Sequence, residues 1–223
     1  MTWQHHLIVL GGPLLAGYLI GSTPFGVIIA RSKGVDLRKV GSGNVGATNV
    51  ARTLGRRWGY LCFVLDVAKG FLPVFVVGLL IGGRHGPPPP LLHQAAWLSA
   101  GFGAIAGHVF SFWLKFHGGK GVAASLGVVL GVYPYFTWPG LCALGVWLAV
   151  TLTTRYVSLG SIVAAAAFLP LLVAFQWRQA RELWPLLTFA GVVAALIIVR
   201  HRGNVSRLVA GKEHKIGRSG RGG

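Results

Sequence analysis

The sequence predicts an all-α integral membrane protein with seven transmembrane helices, the N-terminus outside and the C-terminus cytoplasmic. Three observations carry that expectation. Of its 223 residues, 53% are hydrophobic and only 11% are charged, where a soluble domain carries roughly 25% charge. Uncharged apolar runs recur, and both 7–30 and 91–114 are 24 residues long, beyond the ~18 that read as a span. The basic residues gather in alternate loops, which sets an orientation.

The first apolar run is preceded by no Lys or Arg and is long for the core of a cleaved leader, so 7–30 is expected to remain as the first span. Further spans are expected at 58–82, 91–114, 121–134, 138–154, 158–176 and 183–200. "PPPP" at 87–90 reads as a short stiff loop. Between Lys120 and Arg155 lie 34 uncharged residues, too many for one ordinary span. "YPYFTWPG" interrupts them with Pro134 and Pro139, and proline breaks helices, so two short helices joined by an aromatic turn are expected. Charge decides the count. With seven spans, 17 of the 21 Lys and Arg fall on one side and 3 on the other, with Lys69 inside a span. Merging 121–154 gives 11 against 9. The basic side is the cytoplasmic side. A single domain is expected over 1–216, with a Gly/Arg-rich flexible tail at 217–223.

The formal charge of +17 would suggest nucleic acid on a soluble protein. Here the topology accounts for much of it, so the expected partner is the lipid bilayer and not nucleic acid. The four acids, Asp36, Asp66, Glu182 and Glu213, are too few for a carboxylate-bound metal site. Cys62 and Cys142 lie in apolar spans with no CxxC or Cys/His cluster, and are expected to be buried small residues. No metal and no cofactor are expected. Asp66 and Lys69 stand three apart on one helical face and read as a mutual intramembrane pair that also braces the site. His108 follows the small-residue face "GAIAG" and reads as a hydrogen-bonded interior histidine.

Four polar, glycine-containing segments are expected on the cytoplasmic face. In "VGSGNVGATNVAR" (40–52), glycines let successive N–H groups point into one concavity, an anion nest. Ser42, Asn44, Thr48 and Asn49 add short-range donors, and Arg52 adds a planar charged fork suited to phosphate. A flexible linker has the same composition. In "HGGKG" (117–121), Gly118 and Gly119 precede Lys120 and Gly121 follows, at the start of a span. Backbone N–H groups, a helix N-terminus and an ammonium group would meet a phosphate there. In "RYVSLGS" (155–161), Ser158 reads first as a helix N-cap. The tail "RHRGNVSRLVAGKEHKIG" carries His201, Arg202, Asn204, Arg207 and Glu213. A lipid-facing anchor explains its cations but does not call for the histidine, asparagine or glutamate.

"SGNVGATNVAR", "GGKGVAAS" and "HRGNVSRLVAGKE", in this order and spacing, resemble the three signature motifs of the bacterial acyl-phosphate-dependent glycerol-3-phosphate acyltransferases. The resemblance covers essentially the whole chain, including "DVAKG" and "GHVF". One departure is Ala124, where that family often has Thr. The resemblance implies acyl transfer from acyl phosphate to the 1-hydroxyl of glycerol 3-phosphate, giving lysophosphatidic acid and phosphate, at the cytoplasmic face of a bacterial inner membrane. Two phosphorylated substrates suit the basic, glycine-rich loops. Burying a CH₂ in lipid gains about 0.8 kcal/mol, so a chain of about fifteen gains on the order of 12 kcal/mol by staying in the bilayer.

The resemblance also implies roles. Ser42 and Asn204 orient the substrate or stabilise the oxyanion, Lys120 stabilises the leaving phosphate, and His201 is the base or a positioner, the substrate phosphate being the other proton acceptor. Gly43, Asn44, Thr48, Asn49, Arg52, Gly118, Gly119, Gly121, Ser158, Arg202, Arg207 and Glu213 complete the substrate-binding set. Neither cysteine is expected near that face, so direct attack by the hydroxyl is expected over an acyl-enzyme. The competing reading is a transporter of small phosphorylated anions, which calls for polar groups near the bilayer midplane between internal repeats. No repeat is evident. A monomer is compatible with the pattern.

Overall fold

The computed structural model describes residues 3–83 and 87–216. Among them all regular structure is helical. Arg84 and the tail at 217–223 lie outside the described residues. The chain forms two compact units, one ending at Pro134 and one starting at Tyr135.

The first unit opens with a helical segment built in pieces: α1 (Trp3–His6), a π-helical turn (Leu7–Gly11), α2 (Gly12–Gly21) and α3 (Phe25–Arg31). Pro24 makes the break before α3, because it brings no N–H and pushes Thr23 out of the helical region. A break in an apolar segment frees carbonyls that lipid cannot satisfy. Two side chains do so instead. Ser111 Oγ donates to the Ser22 carbonyl at 2.6 Å, and Lys69 Nζ donates to the Thr23 carbonyl at 2.7 Å.

The unit continues with α4 (Ala47–Leu54), α5 (Arg56–Leu80), α6 (Leu91–Val109), a 3₁₀ turn (Phe112–Leu114) and α7 (Val122–Gly131). Glycines set the helix contacts. Gly17 and Gly21 of α2 lie against the Ala100 and Ala104 carbonyls of α6, and Gly103 and Gly107 of α6 against those of Leu14 and Tyr18. A Cβ at any of the four would collide with backbone. α5 and α7 repeat the device, with Gly70 on the Ala124 carbonyl and Gly127 on that of Val67. Lipid is as apolar as leucine, so close backbone approach and dispersion, rather than hydrophobic burial, hold such helices together. α6 is the central element: the apolar stretch of Leu91–Leu114 is 67% buried, against 39% for those of Gln4–Arg31 and α5.

The second unit contains α8 (Thr137–Thr154), α9 (Val157–Gln176) with a 3₁₀ turn (Trp177–Gln179), α10 (Trp184–Arg200) and α11 (Arg202–Val209). α8 and α9 form a hairpin around Arg155, which turns the chain at φ 64°. Trp147 Nε1 donates to Ser161 Oγ across the hairpin at 3.2 Å. The fully buried Phe136 packs edge-on to Phe168 at 5.3 Å and stacks with Phe189 at 6.3 Å. α10 and α11 bend by 52° at His201.

The helices fall where the apolar runs placed them. Among the described residues, five helical segments are long and apolar enough to cross a membrane, or six when α10 and α11 count as one bent span. The segment expected to span at 121–134 forms α7, of 10 residues, which is not among them: it gives about 15 Å of helix against a ~30 Å hydrocarbon core. Leu152, Leu80 and Trp138 are more than half exposed, as lipid-facing side chains are. Cys62 is buried as expected, but Cys142 is exposed on α8. An apolar span hides only the face that meets its neighbours, so membership of a span does not bury a cysteine.

Candidate active site

The 40–52 segment is an ordered loop leading into α4. Leu37, Val45 and Val50 are buried in one cluster with Ile29, Ala30, Cys62 and Leu114, so the loop is pinned by apolar side chains spaced through it. Asn49, 1% exposed, is its internal clamp. Its Oδ1 accepts the Ser42 N–H at 2.9 Å, and its Nδ2 donates to the Leu37 and Val40 carbonyls, each at 3.1 Å. Gly41 turns at φ 61°, and a Cβ there would strike Asn49 Oδ1. Asn44 Oδ1 accepts the Gly46 N–H at 2.9 Å, a local turn that starts α4. Ser42 is exposed on the loop and Thr48 and Arg52 are exposed on α4, while Gly43 and Asn44 are half-buried. The loop and the first turns of α4 thus expose Ser42, Thr48 and Arg52, while Asn49 faces inward and ties the Ser42 backbone and the Leu37 and Val40 carbonyls to the start of α4.

The second segment belongs to the same unit. Arg38 Nη2 donates to the Leu114 carbonyl at 3.2 Å, tying the first loop to the turn that precedes "HGGKG". Lys115 and Phe116 reverse the chain at φ 52° and 62°. The Gly118 N–H then donates to the Val109 carbonyl and the Gly119 N–H to that of His108, each at 3.0 Å. These two amides are thus spent within the fold, unlike the phosphate cradle expected of them. The glycines are needed because a Cβ at Gly118 would meet the His108 carbonyl and one at Gly119 the His108 ring. Lys120 is half-buried between this turn and α7. Gly121, at φ 91°, is the residue before α7, whose first N–H groups have no carbonyl of their own helix to bond.

Beneath the turn, Asp66 Oδ1 lies 2.8 Å from Lys69 Nζ, with both side chains 4% exposed. His108 Nδ1 is 3.7 Å from the same carboxylate oxygen. A small cavity lined by residues including Val45, Asp66, Lys69, His108 and Gly119 lies there.

In the second unit, α11 is followed by Gly211 (φ 67°), whose N–H bonds the Leu208 carbonyl while the Lys212 N–H bonds that of Arg207. This Schellman stop turns the chain back so that Glu213 faces the helix it has just left. Glu213 Oε1 accepts from Ser158 Oγ at 2.9 Å and from Asn204 Nδ2 at 2.7 Å, and Oε2 accepts from Arg207 Nε at 2.7 Å. Partial burial raises the pKa of this carboxyl, but the three hydrogen bonds and the Arg207 charge outweigh that and hold it below the ordinary glutamate range. The Ile216 N–H donates to the Arg155 carbonyl at 2.8 Å, so the chain after α11 is docked on the α8–α9 turn. Ser158 is not the cap of α9, a place Tyr156 takes; it is a donor to Glu213.

His201 is 3% exposed at the α10–α11 bend. Its Nδ1 lies 2.8 Å from the Ile197 carbonyl, which assigns the proton to Nδ1 and leaves Nε2 with the lone pair when the ring is neutral. Arg202 is exposed. The organising roles of Asn49 and Glu213 are what the sequence reading missed. The only signal for either was that an anionic glutamate suits a phosphate site poorly.

Membrane-length apolar helices, with polar side chains gathered at glycine-bearing loops and helix ends and one buried ion pair, define an integral membrane protein. The family model described as glycerol-3-phosphate acyltransferase matches residues 12–211. The glycerol-3-phosphate acyltransferase of Geobacter sulfurreducens is 46% identical over 201 residues, covering 89% of this chain and 93% of that protein. The crystal structure of PlsY (YgiH), an integral membrane glycerol 3-phosphate acyltransferase, in its glycerol 3-phosphate form aligns with TM-score 0.80 at 41% identity, covering 93% of this chain and 96% of that one. Its lysophosphatidic acid form aligns with TM-score 0.78 at 40% identity over 93% and 95%. The chain belongs to the glycerol-3-phosphate acyltransferase family.

Proposed function

We propose that this membrane enzyme transfers the acyl group of an acyl phosphate to the 1-hydroxyl of glycerol 3-phosphate, giving lysophosphatidic acid and inorganic phosphate. The observation that carries the reading is the likeness, at 41% identity across 93% of the chain, to an acyltransferase solved in a glycerol 3-phosphate form. Family membership sets aside the anion-transporter alternative. The family match spans residues 12–211, on both sides of the boundary between the units, which supports treating 1–216 as one acyltransferase domain.

From the first unit, Ser42, Gly43, Asn44, Thr48 and Arg52 bind substrate, with Arg52 on a phosphate. Lys120 neutralises the leaving phosphate, beside the N–H groups that open α7 after Gly121. Asn49, Gly118 and Gly119 serve by holding these groups in place. From the second unit, His201 Nε2 is the proton acceptor for the attacking hydroxyl. Asn204 orients the substrate or stabilises the oxyanion. Arg202 and Arg207 add positive charge, and Ser158 and Glu213 hold Asn204 and Arg207. The hydroxyl oxygen bonds the acyl carbon, the carbon–oxygen bond to phosphate breaks, and that electron pair leaves with the phosphate.

The excess of Lys and Arg in alternate loops supports a seven-span reading with α7 as the short span, the N-terminus outside, and the C-terminus and site at the cytoplasmic face of a bacterial inner membrane. Purified protein offered acyl phosphate, acyl-CoA and acyl-carrier protein separately tests the reaction. Turnover is expected with acyl phosphate alone, and turnover confined to acyl-CoA defeats the donor assignment.

A further inference from the structure

We infer that His108, held by the buried Asp66–Lys69 pair, is a positioning residue for Lys120 and acts through Gly119. The inference rests on the assignment of Lys120 to the leaving phosphate.

The first step is covalent and local. Lys120 follows Gly119 directly, so whatever fixes the Gly119 backbone fixes where the lysine side chain starts. His108 supplies two contacts that fix it. The His108 carbonyl accepts the Gly119 N–H at 3.0 Å. The His108 ring lies so close that a Cβ on Gly119 would collide with Nε2. The ring is therefore the surface on which the turn rests.

The second step is what holds the ring. His108 is 8% exposed, with Nδ1 3.7 Å from Asp66 Oδ1. That oxygen also receives Lys69 Nζ at 2.8 Å, and Lys69 in turn donates to the Thr23 carbonyl freed by Pro24. Gly26, two residues past Pro24, packs against the carbonyl of Val45 in the loop that carries Ser42 and leads into α4. One buried polar chain thus runs from the break between α2 and α3, through Lys69 and Asp66, to His108 and the turn bearing Lys120. An ion pair in the membrane interior is costly to keep. A lysine needed only to cap one carbonyl would not require an aspartate and a histidine behind it. The arrangement makes sense as a rigid mount for a group that must sit within a fraction of an ångström of a phosphate.

The test is a mutant cycle on the full-length purified enzyme, reading kcat and KM for acyl phosphate together with the melting temperature in detergent. His108→Ala is expected to lower kcat/KM by about ten- to a hundredfold, and His108→Gln, which keeps a donor and similar length, to recover most of that loss. Gly119→Ala is expected to be severe in the wild-type background and mild in His108→Ala, because its methyl group then has space. Wild-type turnover in His108→Ala, or the same cost of Gly119→Ala in both backgrounds, overturns the inference. If His108→Ala yields no folded protein, the comparison is made in His108→Gln, whose flexible end can move aside. A cost equal to that in wild type overturns it there too. Lys120→Ala is run in parallel. If that variant turns over normally, the assignment of Lys120 fails, whereas an inactive Lys120→Ala beside an additive cycle defeats only the positioning role.

Discussion

Asn204 and Glu213 are joined by a hydrogen bond of 2.7 Å from Asn204 Nδ2 to Glu213 Oε1. The bond spans the end of α11, and Ser158 and Arg207 reach the same carboxylate. Three donors on one anionic group form a network in which every donor depends on the acceptor's charge.

Glu213→Gln should therefore act beyond its own position. The new NH₂ group faces donors and cannot accept from them. Hydrogen bonds to a charged group are worth roughly 1.5–3 kcal/mol, and the half-exposed Arg207 pair counts for less. A loss of about 1–3 kcal/mol in unfolding free energy is expected, read as a lower melting temperature in detergent. Turnover should fall by about tenfold or more, because Asn204 loses its mount. A variant that melts and turns over as the wild type does would show the network to be idle.

The same group makes stability depend on pH with a defined sign. The folded-state pKa of Glu213 is lowered, so the folded protein holds that proton less tightly than the unfolded chain does. The stabilisation is present above the unfolded glutamate value, about 4.3, and is lost as pH falls through the lower folded value. The gap in melting temperature between wild type and Glu213→Gln should be constant near neutrality and close below about pH 4. A gap that stays open in acid would place the effect on packing rather than on charge.

Topology is open to labelling. Lys39→Cys and Lys212→Cys, both at exposed positions, should react with a membrane-impermeant thiol reagent from the same side in a background lacking Cys62 and Cys142. Arg178→Cys, also exposed, should react from the other. Labelling of Lys39→Cys and Lys212→Cys from opposite faces would remove one span from the seven.

The helices were legible because apolar run length and loop charge answer to the bilayer directly. The break at Pro24 and the stop at Gly211 follow from single residues with fixed backbone preferences. The inward turn of Asn49 was not legible. An asparagine in a glycine-rich loop looks the same whether its amide faces a ligand or the carbonyls of Leu37 and Val40, and only three-dimensional closure of the loop decides. Gly118 and Gly119 misled for a related reason. Glycine is required both where an amide must meet an anion and where backbone must meet backbone, and here the His108 carbonyl and ring supply the second demand.

Lys120→Ala and Arg52→Ala should each lower kcat by about a hundredfold or more, the scale of losing one preorganised group that stabilises transition-state charge. Both should still insert and fold, because Arg52 is exposed and Lys120 only half-buried. Lys120→Arg should restore charge but not geometry, since a planar fork does not replace a compact ammonium group. Near-normal turnover in either alanine variant would take that residue out of the site.

Asn49 supplies the sharpest discrimination between a clamp and a ligand. As a clamp, it gives one acceptor to the Ser42 N–H and two donors to backbone carbonyls, in a place that is 1% exposed. Asn49→Ala strands all three partners, at roughly 1–3 kcal/mol for each that water cannot reach, and some relaxation of the loop should bring the total to about 2–5 kcal/mol. Asn49→Asp keeps the acceptor for Ser42 but points a second oxygen at the Leu37 and Val40 carbonyls and buries a charge. The clamp therefore predicts that aspartate is more damaging than alanine at neutral pH, in melting temperature and in kcat/KM together. A residue that met substrate through the same amide would behave differently: both variants would melt near the wild-type temperature and lose only activity. Melting curves of the two variants beside the wild type decide between these, and a wild-type melting temperature in Asn49→Asp would return Asn49 to the substrate.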